Sequence, residues 1–247
     1  MILSGSLRGQ RENRQRVRRW HWLRSAFGWM GGDKQTVDRA RVCYQSQEKS
    51  TPETDDRLLK KLVGSKPLHG TTMRGCVMTF DVLAPQFVLR QCLRHIVGSD
   101  YTGSDVFYVG ADTFDIGASY DEQSFRYTDL IRFYVPPYLE GSELSMWYAM
   151  IQDQTERYNA FRYCGVPKQL ARCALGPAVY SQYTWTVNLQ AVLDWASKRL
   201  PGGGAQEETA KYAVAVMQLV ETYVAPKSVQ YWNSRMVLWW IEQVSIQ

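Results

Sequence analysis

Apolar residues recur along this chain with two different spacings, and the spacing predicts which segments are strands and which are helices. Polar and apolar residues alternate over GCVMTFDV (residues 75–82), which predicts a strand, and a second strand is predicted just before the Gly31–Gly32 turn. Elsewhere apolar residues recur every three or four positions, which predicts helices. These helical segments are residues 33–44, 51–65, 85–95, 142–165, 167–175, 187–200, 208–224 and 230–244. The pattern predicts an α+β fold in which helices dominate and strands are few.

Residue types at the segment ends agree with this interpretation. Thr51 or Thr54 can cap one helix, and Pro85 stands at a favoured first helical position of another. The run PGGGAQ must break the chain between two helices. Residues 96–115 mix Gly, Ser, Asp and isolated aromatics without a helical period, and we expect them to form a loop or a short hairpin.

Composition narrows the class of protein. With 247 residues, 45% hydrophobic and 13% aromatic, the chain can bury a sizeable core, and wholesale disorder is excluded. We expect a basic N-terminal extension over residues 1–26 and a single domain over residues 27–247.

No apolar run approaches the ~18 residues of a membrane span, and the start of the chain lacks the pattern of a secretory signal. Five widely spaced cysteines and three histidines favour reduced thiols, no metal site and a cytoplasmic location.

Positive charge is concentrated in the first residues. Seven arginines lie between Arg8 and Arg24, with Glu12 as the only acid among them. Such a run could bind nucleic acid or another polyanion. A solvated tail, or an extension upstream of the folded domain, is the commoner explanation.

One predicted helix ends in a polar group of side chains. Gln91, Arg94 and His95 are spaced so that they share one helix face. A glutamine offers a donor and an acceptor to an amide such as a pyrimidine edge, and an arginine offers a fork of donors to a phosphate or a carbonyl. The plainer alternative is a basic helix end that complements the helix dipole.

A second polar cluster lies in ASYDEQSFRY (residues 118–127), which we interpret as a glycine-bounded loop. Its serines, Ser119 and Ser124, suit a phosphate, and Arg126 adds a cation. No histidine lies close in sequence to activate either serine, which makes a Ser-His-Asp triad improbable. Arg172 and Arg199 are two further basic positions that carry no signal by themselves.

The order of several short sequence motifs along the chain is informative. From about Gly31 to Trp232 the chain resembles the flavin-dependent thymidylate synthases. The matching blocks are ARVCY, HG, TFDVLAPQFVLRQCLRH, ASYDEQSFRY, GVPKQLAR, WTVN, a later arginine and AQEE. The family signature is Arg-His-Arg, two spaced serines and an arginine. Arg94-His95 matches its start, and the second cluster, which ends at Arg126, matches its end.

The resemblance implies a fold and a reaction. Members of the family have an α+β fold with a small sheet flanked by helices, and form homotetramers whose active sites lie between subunits. They methylate C5 of dUMP reductively: reduced FAD supplies hydride, methylenetetrahydrofolate supplies the carbon, and NADPH reduces the flavin. No enzyme nucleophile is needed, and the cofactor carries the difficult chemistry.

The resemblance also implies roles for individual residues. Those expected to hold the nucleotide are Gln91, Arg94, Glu122, Ser124, Arg126, Arg172 and Arg199. Within this set Arg172 and the backbone near Ser124 would face the phosphate, and Arg199 would act in catalysis by polarising the uracil carbonyls. Those expected near FAD are Cys43, Thr79, Arg94, His95 and Asn188.

The chain departs from the family pattern in several places. The family usually has Glu-His where this chain has Arg74-Gly75, and Ile96 replaces the third signature residue. A histidine expected before the AQEE block is Gly204. Residues 96–115 form an insertion inside the signature.

A rival alignment avoids that insertion. It uses Ser99 and Ser104 but places Val106 where the signature has its arginine. We favour the later copy, which retains Arg126, because a phosphate site needs a cation.

These departures affect expected flavin contacts more than nucleotide contacts, which favours a paralogue with an altered FAD site. One branch of the family methylates UMP and dUMP in the biosynthesis of polyoxin-type nucleoside antibiotics. We expect methylation of UMP, with dUMP also accepted. A housekeeping enzyme that acts on dUMP is the first alternative, and a non-catalytic protein that binds nucleotide or nucleic acid is the second.

Overall fold

The computed structural model describes residues 23–65, 68–93, 108–109, 112–113, 119–122 and 132–244. The strands are β1 Leu23–Met30, β2 Val77–Pro85, β3 Tyr108–Val109, β4 Asp112–Thr113, β5 Ser119–Glu122 and β6 Tyr180–Asn188. The helices are α1 Asp33–Cys43, α2 Pro52–Gly64, α3 Gln86–Leu93, α4 Gly141–Tyr163, α5 Lys168–Ala171, α6 Leu189–Arg199, α7 Glu207–Leu219 and α8 Pro226–Val244. The predicted α+β class, with helices dominant, is confirmed. The division of the chain at residue 26 stays a prediction; six of the seven arginines near the start lie outside the described residues, and Arg24 belongs to β1.

Four strands form an antiparallel sheet in the order β1-β2-β6-β5. The central pair, β2 and β6, is nine residues long and in register from Val77 opposite Asn188 to Pro85 opposite Tyr180. Every second residue of both strands is buried. This alternation explains why β2 could be predicted. β6 carries the same pattern, but we did not identify it as a strand.

Aromatic side chains fill the core between this sheet and the helices that follow it. The Phe80 and Trp185 rings have centroids 5.6 Å apart, and Trp185 meets Trp195 of α6 edge-on at 5.2 Å. Phe80 is fully buried, and 1% of Trp195 is exposed. Burial of such large apolar surfaces is the main stabilising contribution of the fold, and here it fixes α6 against β6.

The N-termini of α2 and α3 can be compared with the roles predicted for Thr51, Thr54 and Pro85. Thr51 and Thr54 act together, because each hydroxyl accepts a hydrogen bond from the main-chain N–H of the other. This reciprocal arrangement is a capping box. Pro85 is not the first helical residue: it ends β2, where it pairs with Tyr180, and α3 begins at Gln86.

Strands occur both in a segment predicted as a loop and in one predicted as a loop or a short hairpin. The cluster that we interpreted as a loop begins with β5, an edge strand whose Ser119 pairs with Thr186 of β6. Within the insertion, β3 and β4 pair as a two-residue antiparallel ladder, with Tyr108 opposite Thr113, which agrees with the short-hairpin alternative. Among the described residues, no helix is both long and apolar enough to cross a membrane.

Candidate functional site

Gln91 and Arg199, both predicted to hold a nucleotide, lie in contact although they are far apart in sequence. Arg199 ends α6, and its Nη2 donates a hydrogen bond of 3.1 Å to the main-chain oxygen of Gln91 in α3. Its Nη1 donates more weakly to the Lys198 main-chain oxygen at 3.4 Å. The Arg199 Nε is buried and has no hydrogen-bond partner among the described residues. A buried donor without an acceptor is uncommon, so this nitrogen is a candidate donor to a ligand.

The side-chain amide of Gln91 is held by two residues from the segment that follows α6. Its Nε2 donates to the Gln206 Oε1 at 2.6 Å, and its Oε1 accepts from the Thr209 Oγ1 at 3.3 Å. Gln91, Arg199, Gln206 and Thr209 are called the glutamine cluster below. A pyrimidine edge also carries a donor and an acceptor, so it could replace Gln206 and Thr209 as the partner of this amide.

The predicted break between the two helices positions Gln206. Gly203 packs so closely on the end of α6 that a Cβ there would lie 2.9 Å from the main-chain carbon of Lys198. Gly204 adopts a positive φ of +77°, a conformation that glycine reaches without strain. The expected family histidine is replaced at this position. The glycines therefore return the chain to Gln91 within seven residues of Arg199.

A cleft of about 510 Å³ lies beside the glutamine cluster. Its walls are aromatic: the Phe87 and Tyr134 rings meet edge-on at 5.5 Å, and the Trp147 Nε1 donates to the Tyr134 main-chain oxygen at 2.9 Å. The other lining residues are Gln91, Pro136, Tyr138, Leu139, Met150, Gln154, Gly176, Pro177, Ala178, Gln206 and Glu208. An aromatic cleft edged by amides suits a planar heterocycle.

Tyr134 supplies a neutral hydroxyl to this cleft. Its O–H donates to the Glu208 Oε1 at 3.0 Å. Burial, and then the hydrogen bond to the Glu208 carboxylate, raise the pKa of Tyr134 well above its ordinary value. The hydroxyl therefore remains protonated throughout the ordinary pH range.

Two residues predicted to lie near FAD, Thr79 and Asn188, lie at the opposite end of the sheet. The Thr79 and Thr186 hydroxyls are 2.9 Å apart across the β2–β6 pair. Asn188 is buried and caps α6, where its Oδ1 accepts from the Ala191 main-chain N–H at 2.9 Å. Cys43 lies at the exposed end of α1. Thr79 and Asn188 lie on neighbouring strands, and Cys43 comes from a separate element.

The family's Glu-His position also lies at this end. Arg74 belongs to a 3₁₀ turn, Gly70–Gly75, and its Nε donates to the Oε1 of Gln190 in the first turn of α6 at 3.0 Å. Guanidinium donors beside the start of a helix suit anionic oxygens. The residues present here therefore fit a phosphate-bearing dinucleotide such as FAD.

Several predicted residues cannot be placed by the described part of the chain. Arg94, His95, Ser124 and Arg126 lie outside the described residues, as do Ile96 and the rival positions Ser99, Ser104 and Val106. Glu122 ends β5, where its main chain pairs with Tyr183. Arg172 begins a 3₁₀ turn after α5 and does not line the cleft.

Sequence reasoning missed four contributors to the site. Tyr134, Trp147, Gln206 and Glu208 were not singled out, although the last two belong to the AQEE block that carries part of the resemblance. Tyr134 and Trp147 gave no signal, because an aromatic residue ahead of a helix, or within one, is usually part of a core.

Comparisons with known proteins extend these observations. A family model described as thymidylate synthase complementing protein matches residues 28–227. The flavin-dependent thymidylate synthase of Thermosipho melanesiensis is 30% identical over 210 residues, which cover 77% of this chain and 81% of that protein. The corresponding protein of Thermotoga neapolitana is 29% identical over 199 residues, with coverage of 77% and 81%.

Solved structures agree in fold. A UMP/dUMP methylase, PolB from Streptomyces cacaoi bound with 5-Br dUMP, has a TM-score of 0.67 to this chain at 22% identity, and the match covers 86% of this chain and 97% of that one. The same methylase bound with 5-Br UMP has a TM-score of 0.60. Together the comparisons confirm both the predicted resemblance and the predicted fold.

Proposed function

Because this chain belongs to the thymidylate synthase complementing protein family, we propose that it methylates C5 of UMP and also accepts dUMP. Membership confirms the predicted enzyme class, a methyltransferase, and the predicted cofactors FAD, methylenetetrahydrofolate and NADPH. When bound, reduced FAD supplies the hydride of the methyl group and methylenetetrahydrofolate supplies its carbon. The work left to the protein is to bind, orient and polarise the nucleotide.

The observation that carries this proposal is the buried, unpartnered Nε of Arg199 beside Gln91. A uracil carbonyl accepts a hydrogen bond from such a donor. Because negative charge grows on the uracil oxygens as C5 reacts, a fixed cation there stabilises the transition state more than the ground state. Arg199 is therefore the proposed catalytic residue.

Gln91 is the proposed reader of the pyrimidine edge. Its amide now bonds Gln206 and Thr209, and a uracil imide can replace these partners with one donor and one acceptor of its own. The Gln206 and Thr209 contacts orient the amide before the nucleotide arrives. That orientation reduces the entropy lost on binding.

The remaining nucleotide residues are proposed to complete the site from other segments: Arg94, Glu122, Ser124, Arg126 and Arg172. Arg172 begins a 3₁₀ turn after α5 and does not line the cleft beside Gln91. Thr79, Asn188, Cys43, Arg94 and His95 are proposed to lie near FAD.

We propose a homotetramer, and helix α4 supports it. Only Tyr158 of this 23-residue helix is buried. Its apolar side chains remain in contact with solvent: 67% of Met146, 54% of Tyr148 and 94% of Tyr163 are exposed. An apolar surface of this kind is typical of a subunit contact. Mass photometry at dilute concentration tests this, and a stable monomer would contradict it. We also propose a cytoplasmic location, where folate and NADPH are available.

Turnover on the two nucleotides tests the substrate proposal. Purified enzyme is supplied with FAD, methylenetetrahydrofolate and NADPH, and the methylated products of UMP and dUMP are measured by mass spectrometry. Higher kcat/KM on UMP supports the proposal. Equal activity, or activity on dUMP alone, contradicts it.

Activity on dUMP alone would instead support a housekeeping thymidylate synthase, the function named for the curated relatives. The non-catalytic alternative requires that purified protein is colourless, does not bind added FAD, and binds nucleic acid in a salt-sensitive manner.

A further inference from the structure

Two glycines of the 3₁₀ turn Gly70–Gly75 are covered by long side chains from other helices. A Cβ at Gly75 would lie 2.0 Å from the Nη1 of Arg39 in α1. A Cβ at Gly70 would lie 2.1 Å from the Cδ of Gln190 in α6. Any larger residue would displace these side chains, so glycine at both positions permits the contact.

Arg74 lies between these two contacts. Its Nε donates to the Gln190 Oε1 at 3.0 Å, so the amide that covers Gly70 also orients the guanidinium of Arg74. Arg39, Arg74 and Gln190 are called the arginine cover below. Their residues come from three separate segments of the chain, and no local sequence pattern relates them.

Arg39 brings to the arginine cover a positive charge with little compensation. Arg39 is exposed, and no hydrogen bond or ion pair joins its guanidinium to another described residue. The nearest acid in sequence, Asp38, pairs with Lys34. An arginine whose stem is packed on a glycine has lost part of its freedom, which lowers the entropy cost of binding an anion.

The cover lies beside the proposed flavin residue Asn188. The chain leaves Gly75 for Cys76, whose main-chain oxygen accepts from the Leu189 N–H at 2.8 Å, one residue after Asn188. Gln190 follows in the same helical turn. The Arg74 guanidinium is therefore anchored at the positively polarised start of α6, and Arg39 lies on Gly75, the residue before Cys76.

We propose that Arg39 and Arg74 bind the diphosphate of FAD, and that Gln190 positions Arg74 for this contact. The inference rests on the proposed function. A glutamate at position 74 would accept hydrogen bonds, whereas an arginine donates them in a fork that matches phosphate oxygens. Arg74-Gly75 in place of the family's Glu-His therefore makes this surface suited to an anionic group, and Arg39 occupies the space that the small Gly75 leaves.

Flavins that carry no phosphate, one phosphate or an adenosine diphosphate test this directly. Dissociation constants of riboflavin, FMN and FAD are measured by flavin fluorescence for the wild type, Arg39→Ala and Arg74→Ala. Each variant is expected to weaken FAD binding roughly tenfold, the value of one lost charge-assisted hydrogen bond, and to leave riboflavin binding unchanged. Arg57→Ala is the matched control, because Arg57 is an exposed arginine on the groove between α2 and α8.

Arg39→Lys and Arg74→Lys keep the positive charge but remove the forked pair of guanidinium donors. They are conservative substitutions that should fold, and circular dichroism checks the folding of every variant. They are expected to fall between the wild type and the alanine variants. Equal FAD affinity in the wild type and the Arg39→Ala/Arg74→Ala double variant would overturn the inference and leave the proposed function standing. An equal loss for riboflavin and FAD would overturn it as well. A wild type that binds no FAD would contradict the proposed function itself.

Discussion

The two ends of helix α6 show opposite relations to the family pattern. At its last residue, Arg199 contacts Gln91, and both residues are the ones that the resemblance assigns to the nucleotide. At its first turn, Gln190 bonds Arg74, which stands where the family usually has glutamate. With eleven residues, α6 separates these ends by about 15 Å. Helix α6 therefore has a retained end, at Arg199, where the residues match the family pattern, and an altered end, at Gln190, where they depart from it.

The difference indicates that the contacts proposed for the nucleotide tolerate less change than those proposed for FAD. Arg199 and Gln91 are proposed to meet atoms close to the reacting carbon, where a small displacement is costly. The arginine cover is proposed to meet a group remote from the chemistry, where one set of polar contacts can replace another if the charges match. Variation at the start of α6 with constancy at its end is the pattern expected of a paralogue with the same reaction and a rebuilt cofactor contact.

The largest expected effect is at the retained end. Arg199→Ala should lower kcat by ~10²–10³-fold, because it removes the donor proposed for the developing oxyanion. Helix α6 should stay folded, since its buried Trp195 is untouched. Lys198→Ala, which removes an exposed cation paired with Asp194, is the control and should retain wild-type turnover. Turnover of Arg199→Ala at the wild-type rate would show that the assignment is wrong.

Much of the retained end could be predicted from sequence. Gln91 and Arg199 belong to blocks whose order carries the resemblance, and both lie on helices with clear apolar periodicity. The contact between them could not be predicted, because it depends on how α3 and α6 pack. Sequence also gave no reason to pair Gln91 with Gln206, which follows a run of glycines.

The altered end was harder to predict. An exposed arginine in a helix, such as Arg39, normally indicates a solvated surface, and its contact with Gly75 exists only in the folded chain. The strand β6 was missed although its residues alternate, because its last two residues, Val187 and Asn188, were assigned to the following helix. At Val187 and Asn188 the alternating pattern favours a strand, whereas the capping residue Asn188 favours the start of a helix. Pairing with β2 makes both residues part of β6, and Asn188 also caps α6.

Gln91→Ala tests the retained end with a smaller effect. Loss of one amide that reads the pyrimidine should raise the KM for the nucleotide roughly tenfold. Gln206→Ala should have a weaker effect of the same kind, because Gln206 only orients the Gln91 amide. Steady-state kinetics with varied nucleotide separate the two. A larger effect from Gln206→Ala than from Gln91→Ala would reverse the assigned roles.

Gly75→His tests whether the altered end depends on its glycine. The imidazole must displace Arg39, so FAD affinity should fall several-fold in the wild-type background. In the Arg39→Ala background the same substitution should have little further effect, since the space is already empty. The coupling between the two substitutions should reach about 1 kcal/mol in FAD binding. Independent, additive losses would contradict a shared space.

Tyr134→Phe should give the smallest effect, a loss of about 1 kcal/mol in the free energy of unfolding at pH 8, because one hydrogen bond to Glu208 disappears. Thermal or urea denaturation measures it, and Tyr138→Phe, on the same cleft but 63% exposed, should be neutral. The dependence on pH sharpens the test. Burial raises the pKa of Tyr134 above its ordinary value near 10, so its contribution is complete below pH 10 and is lost as pH rises further. The difference between wild type and Tyr134→Phe should therefore shrink above pH 10, and a difference that grows there would mean that the folded protein favours the tyrosinate.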